Sequence, residues 1–153
     1  MKAAVLFGNE DIRYADWETP VCGEGQVMVR VRATGICGSD VPRVLHHGAH
    51  FYPVVLGHEY SGVVEAVGKN VTTVKVGDQV TVDPNSYCGK CHFCRNGQKQ
   101  LCEHLYAVGV SRDGGFAQRS VVPQEQVFAM DPAIGFEAMA MAEPLVCCIH
   151  GLD

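Results

Sequence analysis

Nothing in this chain approaches the ~20 consecutive apolar residues that a membrane-spanning helix needs. The opening run Met1-Lys-Ala-Ala-Val-Leu-Phe-Gly8 is too short for a secretory signal and gives way at once to Asn9-Glu-Asp. We therefore expect a protein of the reducing cytosol. There is no run of like charge, no internal repeat and no low-complexity segment. Nor is there an excess of base. Twelve Lys and Arg stand against 17 Asp and Glu, a net charge of −5, which argues against nucleic acid or an anionic membrane as the main partner. A strand–Gly-x-Gly-x-x-Gly–helix unit is missing too, so these residues show no dinucleotide-binding fold.

Cysteine, by contrast, is abundant. Four of the eight keep a fixed rhythm, Cys88, Cys91, Cys94 and Cys102, in the pattern C-x2-C-x2-C-x7-C. Tetrahedral zinc takes four soft donors at about 2.3 Å, and a C-x2-C turn delivers two of them with little strain. Gly89 and Gly97 supply the backbone freedom such a knuckle needs. A disulfide cluster would need an oxidising compartment, to which nothing points. Three closely spaced cysteines also suit an iron–sulfur cluster. Zinc fits best, and with four protein donors the site is closed and structural. Of the remaining thiols, Cys22 reads as an incidental surface residue. Cys147 and Cys148, inside Leu145-Val-Cys-Cys-Ile149, read as core or interface residues.

Glycine is also plentiful, and its 17 residues fall where short strands would turn. Strands are expected at Lys2–Phe7, Ile12–Trp17, Gln26–Ala33, Ser61–Val67, Gln79–Val82, Phe116–Val122 and Val127–Met130. Val27-Met-Val-Arg-Val-Arg-Ala33 shows the period-two alternation of a half-buried strand. Ser39–Leu45 suits a short helix, with Pro42 in its first turn. After Pro132 the texture turns helical over Phe136–Ala142 and Pro144–Gly151, with Pro144 placed as a first helical residue. The expected class is mainly β with short helices, arranged as a closed or nearly closed barrel.

Three further segments each carry a zinc-compatible residue: Gly35-Ile-Cys37-Gly-Ser39-Asp, Leu56-Gly57-His58-Glu59 and Ala142-Glu143-Pro144. Cysteine, histidine and carboxylate with a water make an open, catalytic type of site. Read singly, each has an ordinary explanation. His58 could be a hydrogen-bonded structural residue, and Glu143 an acidic helix N-terminus favoured by the dipole.

The arrangement Gly57-His58-Glu59-x-x-Gly62-x5-Gly68-x-x-Val71 resembles the signature of zinc-containing alcohol dehydrogenases of the medium-chain dehydrogenase/reductase family. Gly-Ile-Cys-Gly-Ser-Asp at 35–40, Val76-Gly-Asp-Gln-Val80 and the four-cysteine lobe match in order and spacing. Glu143-Pro144 looks like the polyol and sugar-alcohol branch. Ser39-Asp-Val-Pro-Arg43 with His47-Gly-Ala-His-Phe-Tyr-Pro53 is similar to galactitol-1-phosphate dehydrogenases within it.

The resemblance implies a GroES-like, partly open β-barrel over residues 1–153, with a structural-zinc lobe at about 86–104. It also implies that the nucleotide-binding Rossmann domain lies outside these residues, in a longer enzyme. The chemistry implied is oxidation of a polyol or sugar-alcohol phosphate with NAD or NADP, zinc polarising the substrate hydroxyl, in a homodimer or homotetramer. By resemblance, Cys37 and His58 ligate a catalytic zinc, Glu59 ligates it or exchanges with water, and Glu143 holds it directly or through that water. Ser39 would hydrogen-bond the substrate oxygen and open a proton relay, a role compatible with capping a short helix. Pro42 departs from the histidine usual at its position, so the relay would pass through Glu59, water or a cofactor hydroxyl. Arg43 is a candidate contact for a substrate phosphate, its alternative being a solvated surface cation. His46, His47 and His50 border the same region without needing to be ligands. A different class of function, a catalytically silent zinc-binding GroES-like module, also fits, as does part of a threonine or other secondary-alcohol dehydrogenase.

Overall fold

The computed structural model describes residues 1–152. In chain order the elements are β1 (Lys2–Gly8), β2 (Asp11–Asp16), β3 (Gln26–Thr34), α1 (Asp40–Leu45), β4 (Val54–Val55), β5 (Tyr60–Val67) and β6 (Gln79–Val82). Then follow β7 (Asn85–Ser86), α2 (His92–Arg95), β8 (Tyr106–Ala107), β9 (Arg119–Pro123), β10 (Val127–Ala129), α3 (Phe136–Ala140) and α4 (Ala142–His150). Five strands form one antiparallel sheet in the order β10-β6-β5-β3-β9, and three form another, β2-β1-β4. The short β7-β8 ladder stands at the base of the cysteine lobe.

Residues 116–118 stitch the two larger sheets together without forming a regular strand. The Ala4 N–H donates to the Phe116 carbonyl (2.8 Å), Gln118 N–H to Lys2 (3.1 Å) and Val31 N–H to Gln118 (3.1 Å). Asp113 braces the three-stranded sheet close by, accepting from Trp17 Nε1 just after β2 and from the Val55 N–H of β4, each at 2.9 Å. The result is a mainly β, partly open barrel.

Its interior follows from the alternation along β3. Val27 and Val29 are fully buried, while Arg30 between the inward positions faces out. Val64, Val80, Val82, Val122 and Val127 join them around Tyr60. Branched side chains of this size suit a pleated, half-buried surface, and burying each contributes about 1.5–3 kcal/mol. Tyr60 and Ser120 share a buried hydrogen bond of 2.8 Å, which satisfies both hydroxyls. Helix α3 lies across β3 and β5 with Met139 and Ala140 underneath, and Ser61 Oγ donates to the Phe136 carbonyl (2.6 Å).

The expected C-terminal helices differ in detail. The first ends at Ala140, and the second starts at Ala142, so Pro144 is its third residue rather than its first. The first four N–H groups of a helix have no intrahelical acceptor, so proline loses nothing there. Cys147 and Cys148, expected as core or interface residues, are exposed on α4, which buries none of its residues, so neither is core. Cys22, expected at the surface, is half-buried, and its thiol donates to the Gln26 carbonyl at 3.2 Å. Among the described residues no helix is long and apolar enough to cross a membrane.

Candidate metal centres

Pairing of β3 with β5 places the first cluster. Thr34 pairs with Tyr60, and the Gly35 N–H continues the ladder by donating to the Glu59 carbonyl at 2.7 Å. The end of one strand and the start of the other therefore run side by side, bringing Cys37 to His58 and Glu59. Their donor atoms all lie within 4.8 Å of one another. Two glycines shape this junction. Gly57 has a φ of +93° and lies under the Phe116 ring, which a Cβ would strike. A Cβ on Gly35 would collide with the Glu59 carboxylate instead.

His58 and Glu59 are buried, at 8% and 7% exposure. Neighbouring α1 supplies a residue that the motif reading passed over. Asp40, 2% exposed, sets Oδ1 3.7 Å from His58 Nδ1, too long for a hydrogen bond. His58 Nδ1 and Asp40 Oδ2 are buried and without a hydrogen-bond partner among the described residues. Burial pushes the Asp40 carboxyl pKa upward, against the pull of His58 and Arg43. A histidine ligand commonly turns its second nitrogen to a carboxylate, so the orphaned pair suits a ring engaged on its other side. Thiolate, imidazole and carboxylate are all donors that zinc accepts, and this set fits that ion.

Ser39 occupies the N-cap position of α1, yet its hydroxyl caps nothing. It donates to Cys37 Sγ at 3.2 Å and accepts from Arg43 Nη1 at 3.3 Å. Arg43 reaches Asp40 Oδ1 as well, at 3.2 Å. It is neither a solvated surface cation nor an uncommitted one. His46, His47 and His50 are exposed, and none joins the cluster.

Glu143 sits in the first turn of α4, which packs on β6. Its carboxylate is not among the atoms gathered within 4.8 Å, but it feels that cluster. Burial raises its pKa, the His58 charge opposes the rise, and Glu59 and Asp83 add to it. Beside it opens a mainly apolar cavity of about 430 Å³ that includes Phe128, Met130, Glu143 and Val146.

The second cluster is the lobe. Cys88, Cys91, Cys94 and Cys102 bring their sulfurs within 4.8 Å of one another. Left-handed glycines turn the knuckle, with φ +69° at Gly89 and +77° at Gly97. Backbone N–H groups aim at the sulfurs: Cys91 at Cys88 Sγ (3.4 Å), Cys94 at Cys91 Sγ (3.5 Å), and Cys88 and His104 at Cys102 Sγ (3.3 Å each). Such donors favour thiolates. The Cys94 N–H and then that of Glu103 bring the Cys91 thiol down to about 6, and the Lys90 and Cys91 N–H groups lower Cys88. Burial pushes Cys94 the other way, up to about 12. Four crowded sulfurs, two of them on buried cysteines, with thiolate-seeking N–H groups suit a dication that offsets their charge.

Comparison with known proteins agrees with this architecture. Residues 23–132 match the alcohol dehydrogenase GroES-like domain. The chain is 45% identical over 131 residues to D-altritol 5-dehydrogenase of Agrobacterium fabrum, covering 84% of this chain and 38% of that protein. The crystal structure of galactitol-1-phosphate dehydrogenase from Escherichia coli superposes with a TM-score of 0.94 at 37% identity, covering 98% of this chain and 44% of that one. A protein from Sinorhizobium meliloti 1021, assigned as a zinc-binding dehydrogenase and bound to NADP, gives a TM-score of 0.93 at 38% identity over 99% of this chain and 44% of its own. The chain thus spans about two fifths of the length of these relatives.

Proposed function

The chain belongs to the zinc-containing medium-chain dehydrogenase/reductase family through its alcohol dehydrogenase GroES-like domain, and we propose that it is the catalytic part of a zinc-dependent, NAD(P)-linked polyol dehydrogenase. Its substrate is a sugar alcohol or sugar-alcohol phosphate, the class named for the altritol and galactitol 1-phosphate enzymes it resembles. One observation carries the reading: Cys37, His58 and Glu59 gather three donors within 4.8 Å beside the exposed hydroxyl of Ser39.

In this reading Cys37 and His58 hold the catalytic zinc, with Glu59 and Glu143 completing or exchanging at its remaining positions. Zinc supplies a Lewis acid that polarises the substrate hydroxyl, and NAD or NADP supplies the hydride acceptor. The protein's own work is positional. Asp40 orients the His58 ring from behind, and the barrel wall around His58 and Glu59 keeps water from the donors. Ser39 Oγ would meet the substrate oxygen, and Glu59, gathered with Cys37 and His58, would take up a proton. The lobe cysteines hold a second, structural zinc with no open position.

The test is metal analysis of the full-length protein together with a panel of polyols and their phosphates, assayed with NAD and NADP. We expect zinc in the fresh protein and reduced cofactor with at least one member of the panel, lost in Cys37→Ser and His58→Ala. Turnover undiminished in both variants would rule the reading out.

A further inference from the structure

Arg43 is the polar residue of α1 that neither metal chemistry nor folding explains by itself. It stands one turn beyond Ser39 and Asp40, at the i+4 and i+3 spacings that bring helix side chains together. A single nitrogen, Nη1, reaches both: Ser39 Oγ at 3.3 Å and Asp40 Oδ1 at 3.2 Å. The arginine side chain is only 20% exposed and that of Asp40 3%. Asp40 Oδ1, the oxygen that Arg43 holds, is also the one that faces His58 Nδ1.

We propose that Arg43 is a positioning residue, clamping Ser39 and Asp40 so that the serine hydroxyl points into the donor cluster and the aspartate stays set behind His58. The argument is one of donors and acceptors. A guanidinium has N–H groups only, so Ser39 Oγ must accept from it. The one hydroxyl hydrogen is then turned elsewhere, and Cys37 Sγ at 3.2 Å shows where. Substrate oxygen approaching that cluster meets a donor already aimed at it. Arg43 is also permanently charged, and its pairing with Asp40 Oδ1 fixes the oxygen that faces His58. Proline at position 42 offers no imidazole to the same hydroxyl, so the helix presents Ser39 with the arginine alone.

This inference rests on the zinc reading, and its test separates the two. Full-length wild type, Arg43→Met and Arg43→Lys are compared for zinc release to a chromogenic chelator, for melting temperature and for steady-state kinetics with a neutral polyol and with its phosphate. The lobe zinc serves as an internal reference. Arg43→Met should hold the zinc at Cys37, His58 and Glu59 about tenfold more weakly, the low end of what outer-shell partners contribute. The lobe zinc should be unchanged. In Arg43→Met kcat should fall while KM stays within a few fold. Arg43→Lys, which keeps a cationic donor, should recover much of both losses with the wild-type melting temperature. Wild-type zinc release in Arg43→Met would overturn the proposal. So would a loss confined to KM for phosphorylated polyols, which would make Arg43 a phosphate clamp. If wild type turns over no polyol, the dehydrogenase reading fails, while the chelator comparison still decides the role of Arg43.

Discussion

Two glycines separate residues that hold the fold from residues that tune the site. Gly57 combines a left-handed φ of +93° with a Phe116 ring against its Cα. Gly57→Ala should cost on the order of 3 kcal/mol and lower the melting temperature by roughly 6–12 °C. Gly35 has neither constraint, and a new methyl there meets the Glu59 side chain alone, chiefly its carboxylate and less closely its Cβ. Gly35→Ala should therefore change stability by less than about 1 kcal/mol yet displace Glu59 and loosen the catalytic zinc. Thermal melts and chelator release on both variants check the pair; a Gly35→Ala melt as low as that of Gly57→Ala would refute the distinction. The motifs made Cys37, His58 and Glu59 readable, because ligand chemistry restricts residue type. Asp40 and Arg43 were in view in the same stretch, but their roles were not. Whether a carboxylate is buried against a histidine depends on how α1 lies over the start of β5, and no local pattern states that.

Among the elements, the longer strands were legible and the shortest were not. Gln79–Val82 was read to the residue and Gln26–Ala33 to within one, since alternation over several residues leaves a period to detect. The two-residue strands β4, β7 and β8 have no period at all. Residues 116–118 were read as strand, but their hydrogen bonds go to three different segments, so regular pairing begins only at Arg119. The lobe was legible as a ligand set, and its α2 turn was not. Cys91 caps α2 by accepting from the Cys94 N–H, which ties the start of the helix to the sulfur cluster. Metal removal should follow that division. Mild chelation should strip the zinc of the open site first and leave the four-thiolate zinc, as metal analysis before and after would show. Cys88→Ser should cost at least about 3 kcal/mol of folding free energy, whereas Cys37→Ser should melt near wild type. Equal melting temperatures would contradict the assignment of one site to structure and the other to chemistry.

At the scale of the whole molecule, the described residues form a barrel, a lobe and one helix, α4, that leans on β6 with its apolar side chains in the open. Leu145, Val146 and Ile149 are each more than half exposed. Among the described residues, no strand leads through a Gly-rich turn into a helix that could cradle a pyrophosphate. Residues 1–153 expressed alone should therefore show no saturable micromolar NAD⁺ binding in calorimetry and no polyol oxidation. Orientation of the acceptor at about 3–3.5 Å supplies several kcal/mol of the rate advantage, and free cofactor would lack it. Saturable binding by a sample of verified length would overturn that expectation. Trp17, the chain's one tryptophan, donates its indole N–H to Asp113, whose other oxygen holds the Val55 N–H. Trp17 also packs in one cluster with Phe116 and Ala117, so the molecule's single native fluorophore sits against the segment that joins its two larger sheets. Its emission is a clock for the opening of the barrel, while ultraviolet thiolate absorption of a metal-loaded lobe keeps separate time; unfolding followed in both colours would tell which half lets go first.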